Sequence, residues 1–364
     1  MSLTITRPNS LRGEILAPGD KSVSHRAVMF NALSNNGTAK ITNFSPGADC
    51  TSTVEIMRAL GVEVQREPGN DGMGDSLHIT GVGLEGLREP SDILDAGNSG
   101  TTTRLMSGIL AGREMVAILT GDDSLKTRPM GRVIKPLTDM GALITGRSKN
   151  TLAPLVFHGG EIRGSTYTMP VASAQLKSSL LLAGLRANGV TKLKQPAESR
   201  DHTERMFSAM GVTINKSGLD IEIEPCELNT IDVQVPGDIS SAAFWMVAGV
   251  CHPDSELLIK NVGINPTRSG IITALKMMDA DIAVIDERDV AGEPVADLMV
   301  KSSNLKGIEL NGDIVPLLID EIPVIAVAAA IAQGETVIKD AEELRVKESD
   351  RIQASVNWLR GAGV

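Results

Sequence analysis

The stretch PGDKSVSHR, residues 18–26, places two cations at the apparent first turn of a helix. Ser22 and Arg26 are four positions apart and so share a helix face, with Lys21 just before them. A helix N-terminus already attracts anions through its free amides and its dipole, and cations placed there oppose that dipole. The pattern therefore predicts a binding site for an anionic group, with a solvated surface turn as the alternative.

Small polar residues and cations also open other apparent helices, in DAGNSGTTTR (95–104), ASAQLKSS (172–179) and ESRDHTER (198–205). Each Ser, Thr or Asn among them, taken alone, predicts a helix cap. Several helix starts that face one ligand would bind more than one anionic group. The candidates are Asn98, Gly100, Ser173, Gln175, Lys177, Ser199, Arg200 and His202, with Lys126, Arg128 and Arg132 in the loop SLKTRPMGR, whose charges have solvation as the alternative.

Carboxylates stand out in two C-terminal stretches. Asp320 and Glu321 interrupt the apolar run VPLLIDEIPVIAV, where an unpaired ionised carboxylate would be costly. Asp320 is either the cap of a helix that begins near Ile322 or a catalytic group, and one residue can be both. In EELRVKESDR (342–351), Glu343, Lys347 and Arg351 follow at intervals of four, so a solvated charged helix is the alternative to a site.

The elements that would position these residues form a repeat. Five small-residue helices open at Asp20, Asn98, Ser173, Asp238 and Asp313, at steps of 78, 75, 65 and 75 positions. A second helix in each unit ends at or near a residue suited to a left-handed cap, namely Gly61, Gly141, Gly211, Asp279 and Gly363. The pattern predicts an α/β protein of repeated βαβαββ units. An ordinary α/β protein is the alternative, and the fifth unit is expected to lack its closing strands after Val364.

Composition excludes several classes of function. The chain has 364 residues, a net charge of -10 and 2% aromatic residues, which disfavours nucleic-acid binding. Three separated cysteines and scattered histidines predict a reduced, cytoplasmic protein that needs no metal. The longest apolar run, 322–332, is too short to cross a bilayer, and the N-terminus begins with a strand-like segment at 3–5. Without a Rossmann, P-loop or nucleophile-elbow motif, general acid–base chemistry between bound anions is favoured.

Seven motifs together resemble the 5-enolpyruvylshikimate-3-phosphate (EPSP) synthase family, in order and over essentially the whole chain. They are PGDKSVSHR, DAGNSGTTTRLM, DDSLKTRPM, SAQLKSSLLLAG, ESRDHTERM, PGDISSAAF and RVKESDR. The resemblance implies a two-domain inside-out α/β barrel whose helix N-termini converge on a cleft. The first domain would span 20–235 with three βαβαββ units, on the shikimate 3-phosphate side. The second would comprise 1–19 and 236–364 and be incomplete at its C-terminus.

The resemblance further implies transfer of the enolpyruvyl group of phosphoenolpyruvate to the 5-hydroxyl of shikimate 3-phosphate. Phosphate would leave by addition–elimination through a tetrahedral intermediate, on the route to chorismate and aromatic amino acids, without a cofactor, nucleic acid or membrane. One alternative is the related transferase that acts on UDP-N-acetylglucosamine; that family carries Cys where this chain has Asp123. Another is a fragment, or one part of a split enzyme, that binds shikimate 3-phosphate without turnover.

Site roles follow from the resemblance, motif by motif. Lys21, Ser22 and Arg26 would hold shikimate 3-phosphate, and Lys21 would also reach phosphoenolpyruvate and be a catalytic residue together with the two carboxylates named next. Asp320 would take the proton from the 5-hydroxyl, and Glu348 would protonate the methylene carbon of phosphoenolpyruvate. The remaining contacts would be Asn98, Gly100 and Arg128 to phosphoenolpyruvate, Ser173, Ala174, Gln175, Ser199 and Arg200 to shikimate 3-phosphate, and Lys347 and Arg351 to the charged groups of both substrates.

The sequence also departs from the family pattern. Residues 173–175 read Ser-Ala-Gln where many relatives have Ser-Ser-Gln, and Glu343 stands where many have Asn. The family's sixth unit would lie beyond Val364, so we expect little activity unless a second polypeptide supplies it. Gly100 leaves room for glyphosate in the phosphoenolpyruvate pocket, which predicts inhibition by that compound.

Overall fold

The computed structural model describes residues 6, 8–35, 37–70 and 73–364, and the strand-like segment at 3–5 lies outside them. The chain divides into two compact units. The N-terminal unit comprises Gly19–Val235 and Val290–Glu293. The C-terminal unit comprises the chain up to Pro18 together with Pro236–Asp289 and Pro294–Val364.

The first three repeats follow strand β1 (Leu11–Leu16). The first is α1 (Lys21–Ala32), β2 (Thr38–Phe44), α2 (Ala48–Ala59), β3 (Glu63–Glu67) and β4 (Asp75–Thr80). The second is β5 (Leu94–Asp95), α3 (Gly100–Leu110), β6 (Ala117–Thr120), α4 (Gly131–Asp139), β7 (Ala142–Gly146), the single turn α5 (Arg147–Asn150) and β8 (Leu152–Gly160). The third is β9 (Thr166–Thr168), α6 (Ala174–Gly184), β10 (Thr191–Lys194), α7 (His202–Ala209), β11 (Ile214–Ser217) and β12 (Asp220–Ile223).

Two further repeats complete the chain. The fourth is β13 (Val233–Gln234), α8 (Ile239–Cys251), β14 (Ser255–Gly263), α9 (Gly270–Met277), β15 (Asp281–Val290) and β16 (Glu293–Lys301). The fifth is β17 (Glu309–Leu310), α10 (Val315–Leu318), α11 (Ile322–Ile331), β18 (Val337–Ile338) and α12 (Arg351–Gly361). Single 3₁₀ turns lie at Leu125–Thr127, Gly312–Ile314 and Glu342–Val346.

The sheets show that the first and fourth repeats exchange their opening strands. The four-stranded sheets have the orders β13-β2-β4-β3, β5-β6-β8-β7, β11-β12-β10-β9 and β1-β14-β16-β15, and β17 pairs with β18. In the second, third and fifth repeats the first two strands form a parallel pair and are joined through helical segments. Antiparallel pairs complete the sheets of the second and third repeats. However, β1 pairs with β14 of the fourth repeat, and β13 pairs with β2 of the first.

The helix ends match the sequence expectation closely. The five residues expected at the ends of the second helices all have positive φ, from +65° at Asp279 to +113° at Gly141. Asp20, Ser173 and Asp238 cap α1, α6 and α8 as predicted, each accepting a hydrogen bond from a backbone amide of the first turn. The cap of α3 is Ser99 rather than Asn98.

The fifth helix start differs from the prediction. Instead of one helix after Asp313, the segments Gly312–Leu318 and Ile322–Ile331 meet at 109°. Pro323 lacks the amide that would bond to the carbonyl of Ile319, so a continuous helix cannot pass through this point. The break places Asp320 and Glu321 at the start of α11.

Helices α1, α3 and α6 pack in the core of the N-terminal unit. A Cβ on Gly108 of α3 would lie 2.1 Å from the carbonyl oxygen of Ser179 in α6, so glycine permits this close approach. Across the described residues, no single helix has the length and apolar composition to cross a membrane. The bent pair at 312–331 meets that test only when its two segments are added together.

Candidate active site

The start of α1 carries a capping residue, Asp20, followed by a cation on a long side chain, Lys21. Asp20 accepts a hydrogen bond from the amide of Val23 at 2.9 Å. Lys21 Nζ lies 3.5 Å from Asp49 Oδ2, and about half of the Lys21 side chain is exposed. A pair this long and this exposed holds the ammonium group weakly. Lys21 can therefore turn to an anionic ligand at little energetic cost.

Arg26 is, by contrast, a buried cation on the same helix, with 3% of its surface exposed. Its Nε donates to Thr203 Oγ1 at 2.8 Å and its Nη2 to Ser178 Oγ at 2.9 Å. Its Nη1 donates to the carbonyl of Ser22 at 2.9 Å. Burial lowers the pKa of Arg26 to about 10, against the opposing charge of Glu204. The side chain thus remains a fixed positive charge at neutral pH.

His25 lies next to Arg26 but is not an acid–base group near neutral pH. Its Nδ1 is 2.7 Å from Thr53 Oγ1, and the residue is fully buried. Burial, reinforced by the charges of Lys21 and Arg26, lowers its pKa to about 3. His25 is therefore neutral and structural.

Lys177 of α6 is joined both to α7 and to the turn before it. Lys177 Nζ lies 2.6 Å from Glu204 Oε1 and donates to the carbonyl of Ser199 at 3.1 Å. Burial lowers the pKa of Lys177 although Glu204 opposes this. Lys177, a candidate ligand from the sequence, is thus a support for Ser199. The positive charge of Arg200 contributes to the lowered pKa of Arg26.

Asn98 connects two loops at the start of α3. Its Nδ2 donates to Asp122 Oδ2 at 2.6 Å, and Arg128 donates to both its carbonyl and its side-chain oxygen. A Cβ on Gly100 would lie 3.0 Å from Arg104 Nη1 and 3.5 Å from Arg128 Nη1. The absence of a side chain at Gly100 therefore lets two guanidinium groups approach the first turn of the helix.

Gln175 links the starts of α6 and α3. Its Oε1 accepts from Arg104 Nη1 at 2.6 Å, and its Nε2 donates to Thr101 Oγ1 at 2.9 Å. Burial, with the charges of Arg132 and Arg128, lowers the pKa of Arg104 to about 10. Sequence reasoning did not single out Arg104, although it ends the quoted motif DAGNSGTTTR.

In the C-terminal unit, Arg351 holds both predicted catalytic carboxylates. Its Nη1 donates to Asp320 Oδ1 at 3.0 Å. Its Nε and Nη2 donate to the two oxygens of Glu348 at 2.8 and 3.0 Å, which is the bidentate geometry of a strong ion pair. Burial lowers the pKa of Arg351, but Glu348 and Asp320 outweigh this and raise it overall. Two carboxylates from separate elements therefore lie within the width of one guanidinium group.

The surroundings of these carboxylates decide two alternatives left open by the sequence. Asp320 is not the cap of α11, because the cap position is Glu321 and has no side-chain capping bond. Residues 342–351 are not one charged helix, because α12 begins at Arg351 behind the cap Asp350. Lys347 and Arg351 consequently do not share a helix face, although Lys347 does pair with Glu343 at 2.9 Å.

A family model and known relatives match this chain over nearly its whole length. The family model described as EPSP synthase (3-phosphoshikimate 1-carboxyvinyltransferase) matches residues 5–364. A 3-phosphoshikimate 1-carboxyvinyltransferase of Desulforudis audaxviator is 54% identical over 364 residues, which are 100% of this chain and 83% of the relative. This match gives no support to a second polypeptide that supplies a further unit.

Two solved structures share the fold. An EPSP synthase from Acinetobacter baumannii has a TM-score of 0.87 and 45% identity, covering 96% of this chain and 78% of that one. The enolpyruvyl transferase NikO from Streptomyces tendae has a TM-score of 0.70 at 18% identity, over 91% of this chain and 75% of that one, and supports the fold alone. The predicted α/β fold of βαβαββ repeats and the predicted family are both confirmed, and the chain belongs to the EPSP synthase family.

Proposed function

We propose that this chain transfers the enolpyruvyl group of phosphoenolpyruvate to the 5-hydroxyl of shikimate 3-phosphate and releases phosphate. Family membership supports the reaction, which lies on the route to chorismate and aromatic amino acids. The structural observation that carries the proposal is the pair of carboxylates, Asp320 and Glu348, held by Arg351. A reaction that removes one proton and delivers another needs two carboxyl groups with separate roles.

Asp320 accepts the proton of the 5-hydroxyl as that oxygen attacks C2 of phosphoenolpyruvate. Glu348, in its protonated form, gives its proton to C3, which becomes a methyl group in the tetrahedral intermediate. In the second half, Glu348 takes a proton back from that methyl group. The C2–C3 double bond then re-forms, and phosphate leaves with the electrons of the C–O bond. Glu348 is thus acid and then base.

Arg351 favours the ionised form of both carboxylates because it pairs with both. An anionic group of a substrate that binds Arg351 competes with Glu348 for the guanidinium. Glu348 is about half exposed and can leave the pair to carry a proton. Binding of the substrates would in this way release Glu348 from Arg351 and favour its protonated form.

The N-terminal unit supplies the binding groups. Buried Arg26 presents a fixed positive charge, and exposed Lys21 can move to a ligand. Fixed cations stabilise the phosphate and carboxylate charges that redistribute during the reaction. We assign shikimate 3-phosphate to Lys21, Ser22, Arg26, Ser173, Ala174, Gln175, Ser199 and Arg200, phosphoenolpyruvate to Lys21, Asn98, Gly100 and Arg128, and the charged groups beside Glu348 to Lys347 and Arg351.

We also propose the bounds of the two domains and the cellular location of the protein. The compact units support a first domain at 20–235 and a second made of 1–19 and 236–364. Three free cysteines, of which Cys50 is fully buried, suit a reducing compartment and support the cytoplasm.

The test is phosphate release by the purified chain. The sequence alone led to the expectation of little activity without a second polypeptide, but the family match along the chain supports turnover by this chain itself. We expect that turnover to need both phosphoenolpyruvate and shikimate 3-phosphate. UDP-N-acetylglucosamine in place of shikimate 3-phosphate should give none. Turnover with the nucleotide sugar instead would contradict the assigned acceptor. Calorimetric binding of shikimate 3-phosphate without phosphate release would show a binding protein and contradict the transfer reaction.

A further inference from the structure

The motif PGDISSAAF at the start of α8 has no part in the proposed function, yet its side chains reach the break between α10 and α11. The Ser240 hydroxyl donates to Glu321 Oε1 and accepts from Arg268 Nη2 at 2.6 Å. Arg268 also donates to Asp238, the cap of α8, at 3.3 Å. A continuous set of polar contacts therefore runs from the start of α8 to the residue beside Asp320.

Two charged members of this set of contacts are buried, so each depends on the other members for its hydrogen bonds. Glu321 is 1% exposed and Arg268 is 6% exposed. A buried carboxylate is costly unless its hydrogen bonds are complete, so loss of one member leaves the others in an unfavourable state. Asp320, by contrast, is half-buried and contacts Arg351. Two adjacent carboxylates thus have different surroundings, and Glu321 is joined to α8 through Ser240.

Glu321 also controls the backbone at the break. Its amide donates to the carbonyl of Leu318 at 2.9 Å, and its own carbonyl accepts from the amides of Val324 and Ile325 at 3.0 Å. Because Pro323 has no amide to donate to the carbonyl of Ile319, this turn lacks one helical backbone bond. The side chain of Glu321 supplies a second anchor there, and Asp320 is its covalent neighbour.

We infer that Arg268, Ser240 and Glu321 form a positioning network that fixes the carboxylate of Asp320 for proton transfer. The inference rests on the proposed function, because Asp320 must be the base for its placement to matter. Loss of a hydrogen-bond partner around a metal-ligating side chain commonly costs about 10- to 100-fold, and we expect the same range for a support of a reacting carboxylate. A displacement of a reacting group by roughly 1 Å has a similar effect.

Steady-state kinetics of Ser240→Ala test the network, with Ser241→Ala as the matched loss of a neighbouring hydroxyl on the same helix. We expect Ser240→Ala to lower kcat about 10- to 100-fold while KM for each substrate stays within about two-fold. Ser241→Ala should retain kcat within about two-fold. Rates are expressed per folded molecule, from far-UV dichroism. An unchanged kcat in Ser240→Ala, or a loss confined to KM, overturns the inference.

Amide hydrogen exchange of residues 316–326 supplies a readout that needs no turnover. The network predicts faster exchange at the start of α11 in Ser240→Ala than in the unsubstituted chain or in Ser241→Ala. Unchanged exchange overturns the inference even if kcat falls. Absence of turnover in the unsubstituted chain would instead contradict the proposed function, so the two failures are distinguishable.

Discussion

In the N-terminal unit, α1, α3 and α6 are buried along almost their whole length, whereas α8 and α11 of the C-terminal unit each expose one side. Phe244 and Trp245 of α8 are 65% and 43% exposed, and Ile331 of α11 is 60% exposed. All five helices are rich in small and apolar residues. A helix that is apolar on every side needs neighbours on every side. Burial here depends on how many repeats pack together rather than on the sequence of one helix.

The units also differ in the charge at their helix starts. Arg26 and Arg104 are buried cations in the N-terminal unit, with their pKa values lowered but still about 10. In the C-terminal unit the corresponding feature is Asp320 and Glu348 around Arg351. Under the proposed function, the comparison separates binding, which we assign to the fixed cations, from proton transfer, which we assign to the carboxylates. Each of the following substitutions tests one side of it.

Asp320→Asn should have the largest effect, because it removes the proposed base while keeping its size. We expect kcat to fall about 10³-fold with KM changed only slightly, within the usual range for loss of a general base. Phosphate release measures this. Glu342→Gln, at an exposed carboxylate in the same unit, should keep the original rate. More than a tenth of the original kcat in Asp320→Asn would contradict the role.

Arg26→Lys should affect binding instead. An ammonium group cannot reproduce the fork that reaches Thr203, Ser178 and the carbonyl of Ser22. We expect the Kd for shikimate 3-phosphate to rise about 10- to 100-fold, the range for loss of charged hydrogen bonds, while kcat changes less. Calorimetry measures the Kd, and Arg163→Lys at an exposed pair is the control. A Kd within two-fold of the original would remove Arg26 from the binding site.

Acid should destabilise the N-terminal unit through His25. Its folded pKa of about 3 lies below the ordinary 6.5, so the unfolded chain binds more protons and stability falls as pH drops from about 6.5 towards 3. Between pH 7 and 5 we expect a loss of about 2 kcal/mol from this residue.

Urea unfolding at both pH values measures the loss, and His25→Gln should lack it. Tyr167, the single tyrosine, reports the N-terminal unit, whereas Trp245 and Trp358 report the C-terminal unit. Equal pH dependence in the unsubstituted chain and in His25→Gln would contradict the assignment.

Phe244→Ala should have the smallest effect. Its ring is mostly exposed, so we expect the free energy of unfolding to change by less than about 0.5 kcal/mol. The matched substitution Phe207→Ala removes a fully buried ring that packs on Phe30 at 4.6 Å between ring centroids, and should cost about 3–5 kcal/mol. Urea titration compares the two. Similar losses would show that burial does not distinguish the units.

The sequence predicts the fold best where local chemistry decides it. Residues suited to left-handed backbone end the second helix of all five repeats, as at Gly61 and Asp279, because that conformation needs a particular residue type. The start of α12 was missed although Asp350 and Gln353 have the spacing of a capping box. A helix that begins near Ile322 was predicted and is α11, but the short helix α10 before it and the bend between the two were not predicted.

The site is less predictable because its supports come from distant parts of the chain. Arg26 is held by Ser178 and Thr203, 152 and 177 positions away. No spacing rule links such residues, and only the fold brings them together. The same holds for Ser240 and Glu321, 81 positions apart. The motif PGDISSAAF was visible in the sequence, but its partner was not.

The exchange of opening strands has a consequence for synthesis on the ribosome. β1 is made first, yet Leu11 and its partner Ser255 are 244 positions apart. β13, which completes the sheet of the first repeat, is made before β14. During synthesis the N-terminal unit can therefore complete its strand pairing before β14, the strand that pairs with β1, has been made. Slowing translation after residue 235 should lengthen the interval in which β1 is open to proteases and chaperones.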